Sequence, residues 1–421
     1  MPVSTQVSTS RQDRADKGAN ATQGALGQSK REYEQRTRPT TPPTIDIGLR
    51  HTSDIATTIN GNKAVVTACR TLVLKNKSNS SPHSRSIIRI NMATQQYQQL
   101  TQKDVDHFLQ HGWLKLSDCF SQQQADDLIK TVWTRLGMSP TDKSTWHTER
   151  INMPKHSEFT ASDLAPKAWA AICDLLGGEE RIAEYNRTWN DGLIVNLGTP
   201  EGEGKEIRGQ DLPGWHVDGD FFVHYLDSPE QGLLVIPLFT EIQPGGGGTF
   251  ICPGAIPKMA QYLHDHPDGV SPRFTPREAN PEFKPEDALK WFCDTAHSMP
   301  DEAFVEATGK VGDVYLLHPL MLHSASNNKL RTVRIITNPP VSLNQPFNFN
   351  RTDKSQYSVV ERKTLNALGV ESLDNWKITA AREKVIPERL RRQAAMMEEE
   401  LKRLQETKTE PAVQVAEVTV K

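Results

Sequence analysis

The 421-residue chain has a net charge of −3 and an apolar content of 36%, which suffices for a large core. No run approaches the roughly 18 apolar residues of a membrane span, and the first thirty residues lack a signal-peptide core. The five cysteines are odd in number and form no CxxC pair, which excludes a disulfide framework and a zinc ribbon. We expect an intracellular protein, most simply cytoplasmic, with mitochondria or peroxisomes still open.

Charge is uneven along the chain. Residues 1–91 carry fourteen Lys and Arg against six Asp and Glu, leaving the rest mildly acidic at 35 against 46. A basic face is needed for phosphate binding, so nucleic acid is not expected as a partner. Residues 1–91 also lack a sustained apolar period and are predicted to be disordered. Two alternatives are a mitochondrial presequence, which the acidic residues argue against, and translation starting at Met92.

Residues 92–355 read as the folded domain. LTQKDVDHFLQHGWLKL predicts a helix, a glycine turn and a strand, and QQQADDLIKTVWTRLG and APKAWAAICDLLG predict two more helices. Short β-rich runs then alternate with Gly, Pro and Asn turns, which favours an antiparallel sandwich or barrel, mainly β with flanking helices. An insertion at 255–310 contains helical stretches and is either a substrate lid or a packed surface excursion.

Residues 356–421 read as a charged helical extension with a disordered tail. Apolar residues recur there at helical spacing for only about two heptads, which is too short to assert a coiled coil. The helix is therefore expected to pack on its own domain or to project into solvent, and a homodimer through it is the alternative. The recurring residues are Leu390, Ala394, Met397, Leu401 and Leu404.

A candidate metal site lies in WHVDGD. His216 and Asp218 are two residues apart, so on a strand both side chains leave the same face. His323, in GDVYLLHPLMLHSASNN, supplies a third ligand from the same β-rich region. Two imidazoles and one carboxylate on one side of iron(II) leave positions for 2-oxoglutarate and O₂.

Other histidines compete for these roles. His318 lies five residues before His323, on the opposite strand face, and His323 is favoured because small residues follow it. His224 reads as a core or rim histidine. A second HxD copy, at His266 and Asp268, follows a helical run and is flanked by Pro and Gly, where no buried strand face is expected.

Arg334 stands in the middle of the apolar strand TVRIITN. A guanidinium there is costly unless a carboxylate meets it, and its fork suits bidentate capture. The partner is either an internal Asp or Glu or the distal carboxylate of 2-oxoglutarate. Arg331 lies at the preceding turn and reads as the weaker, solvated candidate.

Four segments together resemble the phytanoyl-CoA dioxygenase family of iron(II)/2-oxoglutarate enzymes over roughly residues 98–350. They are LTQKDVDHFLQHGWLKL, WHVDGD, GGTFICPGAI, and GDVYLLHPLMLHSASNN followed by an arginine eleven residues after its last histidine. The resemblance implies a double-stranded β-helix (jelly-roll, cupin-like) core. It puts His216, Asp218 and His323 in the metal-ligand positions and Arg334 in the oxoglutarate position.

Two polar strand residues, Thr249 and Asn196, are further candidates for hydrogen bonds to the cosubstrate; ordinary strand polar residues are the alternative. The family's Pro-Gly-Ser-His turn is altered here, with Ala255 and Ile256 in place of Ser and His, which weakens any transfer of substrate contacts. The implied cofactors are Fe(II), 2-oxoglutarate and O₂, with ascorbate supportive. The implied reaction is oxidation, by default hydroxylation, of a small organic molecule.

Two other readings stay open. A non-catalytic cupin-like binding protein would retain the barrel, and erosion of a ligand or of the arginine would mark it. A β-barrel metalloenzyme without 2-oxoglutarate would be favoured if an internal carboxylate satisfied Arg334. The substrate itself cannot be read from the sequence.

Overall fold

A computed structural model describes residues 97–284 and 289–409, together with the backbone of 55–60 and 63–68; at 408–409 it describes the backbone alone. The chain divides into two compact units, Met1–Ala93 and Thr94–Lys421. In the first unit, β1 (Ile55–Asn60) and β2 (Lys63–Ala68) pair antiparallel, with Ile55 opposite Ala68. Both segments are rich in β-branched residues, which favour strands. The remainder of the 1–91 segment, for which we predict disorder, lies outside the described residues, as does the tail after residue 409.

The second unit combines short strands with helices. Its strands are β3 (Trp113–Leu116), β4 (Arg150–Asn152), β5 (Glu158–Thr160), β6 (Thr188–Asn190), β7 (Ile194–Asn196), β8 (Leu233–Pro237), β9 (Thr249–Cys252), β10 (Val305–Ala307), β11 (Val314–Leu317), β12 (Leu322–Ala325), β13 (Arg334–Ile336) and β14 (Pro340–Val341). Its α-helices are α1 (Gln102–His111), α2 (Gln122–Ile129), α3 (Val132–Leu136), α4 (Ala161–Leu164), α5 (Pro166–Leu176), α6 (Ile256–Asp265), α7 (Lys290–His297), α8 (Val359–Leu368) and α9 (Arg389–Thr409). Short 3₁₀ turns connect several of them.

Antiparallel sheets carry the core. One has the order β14-β8-β11-β3 and another the order β13-β7-β4. A bridge between Leu238 and Ile336 links β8 to β13, so these two sheets run into one another. A third sheet has the order β10-β9-β12. Every residue of β8 and β11 is buried, as expected for strands covered on both faces. Antiparallel sheets with flanking helices are thus observed, and the double-stranded β-helix stays a prediction.

The helices at the start of the unit follow their sequence signals. Thr101 and Asp104 form a capping box at the start of α1, and Gly112, with φ 74°, ends it directly before β3. QQQADDLIKTVWTRLG forms two helices, α2 and α3, instead of the single predicted helix. The second begins anew at Thr131, whose carbonyl accepts from Arg135, and it buries Val132, Arg135 and Leu136. Burial of these side chains therefore overrides the continuous helical period.

The insertion and the C-terminal extension both pack on the unit. The insertion's two predicted helices are present as α6 and α7; α6 lies against α8, and α7 against the 3₁₀ turn Gly209–Asp211. The helix α9 packs against α3, which is one of the arrangements expected for the C-terminal helix. A search of the described helices finds none with the length and apolar character to cross a membrane.

Candidate metal centre

Two histidines from distant segments face each other across an isolated antiparallel bridge. The backbone N–H of His216 donates to the His323 carbonyl at 2.9 Å, and that of His323 donates to the His216 carbonyl at 3.0 Å. Residues in register share a sheet face, so both rings project to the same side, with centroids 4.3 Å apart. The sequence predicts a strand through WHVDGD; the structure has a single bridge at its histidine.

Asp218 completes the group. Its Oδ1 lies 3.4 Å from His216 Nε2 and 3.6 Å from His323 Nε2. The three potential ligand atoms all lie within 4.8 Å of one another, and this is the one such cluster of three or more His, Cys, Asp or Glu residues among those described. The structure therefore brings together the three residues that the sequence singles out as metal ligands.

Backbone carbonyls fix the orientation of both rings. Nδ1 of His216 lies 2.7 Å from the Gly214 oxygen, and Nδ1 of His323 lies 2.9 Å from the Met321 oxygen. Each Nδ1 thus acts as the donor, which leaves Nε2 of each ring directed at the Asp218 carboxylate. This arrangement, with one nitrogen held by a carbonyl and the other free to ligate, is typical of metal-binding histidines.

Asp218 is held as an anion. Burial alone would raise its pKa, but the charges and hydrogen bonds of the His323 and His216 rings hold that pKa well below its usual value. Burial likewise opposes protonation of His323, and the Asp218 charge nevertheless raises the pKa of that imidazole. Oδ2 of Asp218 accepts a hydrogen bond from Asn338 Nδ2 at 3.1 Å. Asn338 is not predicted from the sequence, although it lies four residues after Arg334 in the same extended segment, at the spacing of one strand face.

The donor set fits a divalent transition metal. Two neutral imidazole nitrogens and one carboxylate oxygen converge from one side, as in the two-histidine, one-carboxylate triad of non-haem iron(II) oxygenases. Because histidine binds a metal through an unprotonated ring nitrogen, metal binding at this site would compete with protonation. His216, Asp218 and His323 are the residues that would hold it.

Arg334 presents a buried positive charge without a carboxylate. The side chain is 2% exposed, and it donates to Thr249 Oγ1 at 3.0 Å and to the Ile194 carbonyl at 3.4 Å. Its Nε has no partner, and no described Asp or Glu lies within ion-pair distance. Burial, assisted by the charge of Arg150, lowers the pKa of Arg334 to about 9. The guanidinium therefore retains capacity to pair with an anionic ligand.

Sheet register relates Arg334 to the metal triad. His323 pairs with Ile251 on β9, and Thr249 lies two residues further along the same strand. Alternate residues share a face, so Thr249 faces the same side as His323, about 7 Å along the strand. Arg334, on a strand of a different sheet, reaches across to Thr249. The separation between the levels of His323 and Thr249 along the strand is of the order of the length of a short dicarboxylate.

Asn196 lies beside Arg334, but its side chain is hydrogen-bonded to backbone groups of neighbouring loops. The two residues are Cα partners on β7 and β13. The Asn196 Nδ2 donates to the carbonyls of Ser326 and, more weakly, Gly247, and its Oδ1 accepts from the Gly198 N–H. Its side chain thus holds loops together, whereas Thr249 directly contacts the guanidinium.

The competing histidines lie elsewhere. His318 is fully buried with Nε2 3.0 Å from Thr364 Oγ1, and burial with the Lys363 charge lowers its pKa to about 3. His224 Nε2 lies 2.7 Å from the Gly219 carbonyl, and burial lowers the pKa of His224 to about 4. His266 bonds the Tyr262 carbonyl through Nδ1. None of the three belongs to the metal cluster.

The expectation that Arg331 is solvated is wrong. The residue is 6% exposed, it takes a positive φ of 47°, and its guanidinium lies 5.6 Å from the Trp146 ring centroid. Contact with this aromatic face draws the side chain inward.

No protein-family model matches the sequence, and no curated protein matches it significantly. Among solved structures, the chain is similar to HygX from Streptomyces hygroscopicus with nickel, 2-oxoglutarate and hygromycin B bound, with TM-score 0.31, 11% identity, and coverage of 57% of this chain and 86% of HygX. It is also similar to EctD from S. alaskensis with 2-oxoglutarate and 5-hydroxyectoine, with TM-score 0.31, 16% identity, and coverage of 58% and 76%. TM-scores this low assign neither fold nor activity to this chain.

Proposed function

We propose that this protein is an iron(II)- and 2-oxoglutarate-dependent oxygenase that oxidises, by default hydroxylates, a small organic molecule. One observation carries the proposal: beside a His-Asp-His cluster in sheet register with Thr249, a buried arginine without a described carboxylate partner is bonded to that threonine. The motifs that resemble the phytanoyl-CoA dioxygenase family support the same assignment.

Iron(II) bound at the triad would supply the chemistry that couples oxidative decarboxylation of 2-oxoglutarate by O₂ to oxidation of a substrate C–H bond. The protein's own residues prepare the site. The Gly214 and Met321 carbonyls hold the imidazole rings with Nε2 directed inward. Asn338 binds Oδ2 of Asp218 and leaves Oδ1 directed at the histidines. Arg334, held by Thr249, would bind the distal carboxylate of 2-oxoglutarate.

The two other readings are less well supported. If the protein were a metalloenzyme that does not use 2-oxoglutarate, the burial of the Arg334 guanidinium would be unexplained, because no described carboxylate pairs with it. A non-catalytic binding protein does not require all three ligands and the arginine to be retained, yet His216, Asp218, His323 and Arg334 are all present.

The aromatic residues near the motif say little about the substrate. Trp215 is fully buried with its Nε1 bonded to the Gly209 carbonyl, and Phe222 stacks on His224. Tyr225 is buried and bonds the Ala381 carbonyl. These three side chains are packed interior residues, so the substrate class stays open and the proposal commits only to a small organic molecule.

The test is metal-dependent succinate formation. Purified protein with Fe(II), ascorbate and 2-oxoglutarate in air should form succinate, and Asp218→Asn should abolish it by weakening the metal site. Asp268→Asn is the matched control, because Asp268 belongs to the second HxD copy and is not part of the metal cluster. We expect it to retain full turnover.

Uncoupled turnover without substrate can be slow, so anaerobic binding of 2-oxoglutarate to the iron-loaded protein is measured in parallel. Binding that depends on iron and on Asp218 supports the oxygenase. If neither succinate nor binding is found in folded, iron-loaded protein, the oxygenase assignment is wrong.

A further inference from the structure

The C-terminal strap, defined here as residues 376–393, crosses the loop that carries Asp218. Phe222 and Lys384 form an isolated antiparallel β-bridge. In it, the Val223 N–H donates to the Glu383 carbonyl and the Val385 N–H donates to the Phe221 carbonyl, both at 2.9 Å. The segment directly after the metal-ligand aspartate is thus paired with backbone from the far end of the chain.

An ion pair strengthens this pairing two residues from the ligand. Arg389 binds the Asp220 carboxylate with both arms of its guanidinium, Nε to Oδ2 at 2.6 Å and Nη2 to Oδ1 at 2.9 Å. Bidentate geometry fixes orientation as well as distance. Gln393, one turn further along α9, approaches the Met153 carbonyl at 3.4 Å. The strap therefore ties the loop to the start of α9.

The strap is itself anchored on both sides. Before the bridge, Arg382 pairs with Asp227 at 2.8 Å, and the Ala381 carbonyl accepts from the Tyr225 hydroxyl at 2.8 Å. Beyond the bridge, α9 is held through the buried pair between Glu400 and Arg135. Contacts at both ends make the strap a fixed support for the loop.

The loop needs such support because of its backbone. Gly219 follows Asp218 directly and has φ 117°, a conformation that other residues rarely adopt. The described residues 215–224 contain isolated bridges at His216, Phe222 and His224 and no regular strand. The backbone at Asp218 has no regular strand pairing of its own, so its position depends on contacts from other segments of the chain. Metal sites require their ligands within about 0.5 Å of the productive geometry.

We propose that Arg389 is a positioning residue for the metal site, which acts through Asp220 to hold the loop that carries Asp218. The C-terminal strap thereby completes the metal centre from outside the β-rich region. This inference rests on the metal-binding part of the proposed function and is independent of 2-oxoglutarate.

The test is an anaerobic Co(II) titration of full-length protein followed by the visible d–d absorption of the bound ion. Arg389→Gln, Asp220→Asn and the double variant are compared with wild type. Arg391→Gln is the matched control, since Arg391 lies in the same helix turn, its side chain is 85% exposed, and it pairs with Glu388. We expect roughly tenfold weaker Co(II) binding in each single variant, the size usual for residues that orient metal ligands. The control should bind like wild type.

A double-mutant cycle identifies the route. If Arg389 acts through Asp220, the double variant binds Co(II) no more weakly than either single variant, and the d–d spectra of all three change alike. Unfolding midpoints of the metal-free variants should match that of Arg391→Gln.

Three outcomes would overturn the inference: unchanged affinity in Arg389→Gln, additive losses in the double variant, or a lowered metal-free midpoint in Arg389→Gln with normal Co(II) binding in Asp220→Asn. The last would make Arg389 a stabilising contact of α9 only. Wild-type protein that fails to bind Co(II) would instead overturn the metal-binding proposal.

Discussion

Two guanidinium groups are buried to the same degree in this protein, yet their surroundings differ. Arg135, 1% exposed, pairs with Glu400 at 2.9 Å and Asp191 at 3.2 Å and also donates to the Pro154 carbonyl. Arg334, 2% exposed, has a threonine hydroxyl and one distant carbonyl as partners, and no described carboxylate. The first charge is neutralised within the fold, and the second is not.

The difference separates a structural charge from a binding charge. A buried ion costs several kcal/mol of desolvation unless a partner offsets it. At Arg135 the partners come from α9 and from the turn after β6, so the pair links segments of the fold. At Arg334 the offset has to come from a ligand, which is why we assign it to the 2-oxoglutarate carboxylate. Four predictions test this contrast.

The largest effect is expected for Arg135→Leu. Removing this guanidinium leaves the buried carboxylate of Glu400 with His156 alone and strips Asp191 of its ion pair. Breaking one side of a buried pair costs about 3–5 kcal/mol, so urea unfolding should show a loss of that size. Oxoglutarate affinity of the protein that remains folded should be unchanged. Arg391→Leu, at an exposed position of α9, is the control, and an equal loss there would remove the contrast.

Arg334→Leu should have the opposite profile. Leucine removes an uncompensated buried charge, so the unfolding free energy should stay level or rise. Loss of the charge-assisted bidentate contact should weaken 2-oxoglutarate binding roughly 100-fold, about 3 kcal/mol. Calorimetry on the metal-loaded protein under anaerobic conditions measures the affinity. Unchanged affinity, or destabilisation as large as that of Arg135→Leu, would show that Arg334 is a structural charge.

A ligand that supplies the missing carboxylate should stabilise the fold. At 2-oxoglutarate concentrations ten times its Kd, linkage predicts about 1.4 kcal/mol of added stability for metal-loaded wild type. Denaturant unfolding with and without the dicarboxylate gives this number directly. Arg334→Leu should gain nothing at the same concentration. A similar gain in both proteins would place the carboxylate away from this guanidinium.

The three clustered residues can be selected from the sequence because their signals are local. The HxD spacing and the small residues after His323 select, from thirteen histidines, the two that the structure places beside Asp218. The resulting group is the one that the structure assembles. Arg334 is found for a similar reason: a charge in the middle of an apolar strand has few explanations. That no described carboxylate pairs with it is visible only in the structure.

The contact partners of Arg135, Asp218 and Asp220 cannot be predicted from the sequence, because they lie far away along the chain. Glu400 lies 265 residues from Arg135, and Asn338 lies 120 residues from Asp218. The contact between Arg389 and Asp220 spans 169 residues. Such pairs depend on how the sheets and helices pack, which helical and strand periods do not specify. The break between α2 and α3 escapes prediction for the same reason, since it accompanies burial of Val132, Arg135 and Leu136 against other parts of the fold.

The smallest effect is expected for Thr249→Val, which keeps the shape of the side chain and removes the hydroxyl that accepts from Arg334 Nη2 at 3.0 Å. The guanidinium then loses one of its two protein contacts and becomes less well oriented toward a ligand. A single hydrogen bond to a charged group contributes about 1.5 kcal/mol, so 2-oxoglutarate affinity should fall roughly tenfold. Metal affinity should not change, since Thr249 lies about 7 Å along β9 from the level of His323.

Ser324→Ala on the adjacent strand is a control of similar size. Equal losses of metal and 2-oxoglutarate affinity in Thr249→Val would mean that the hydroxyl supports the sheet as a whole instead of orienting the guanidinium.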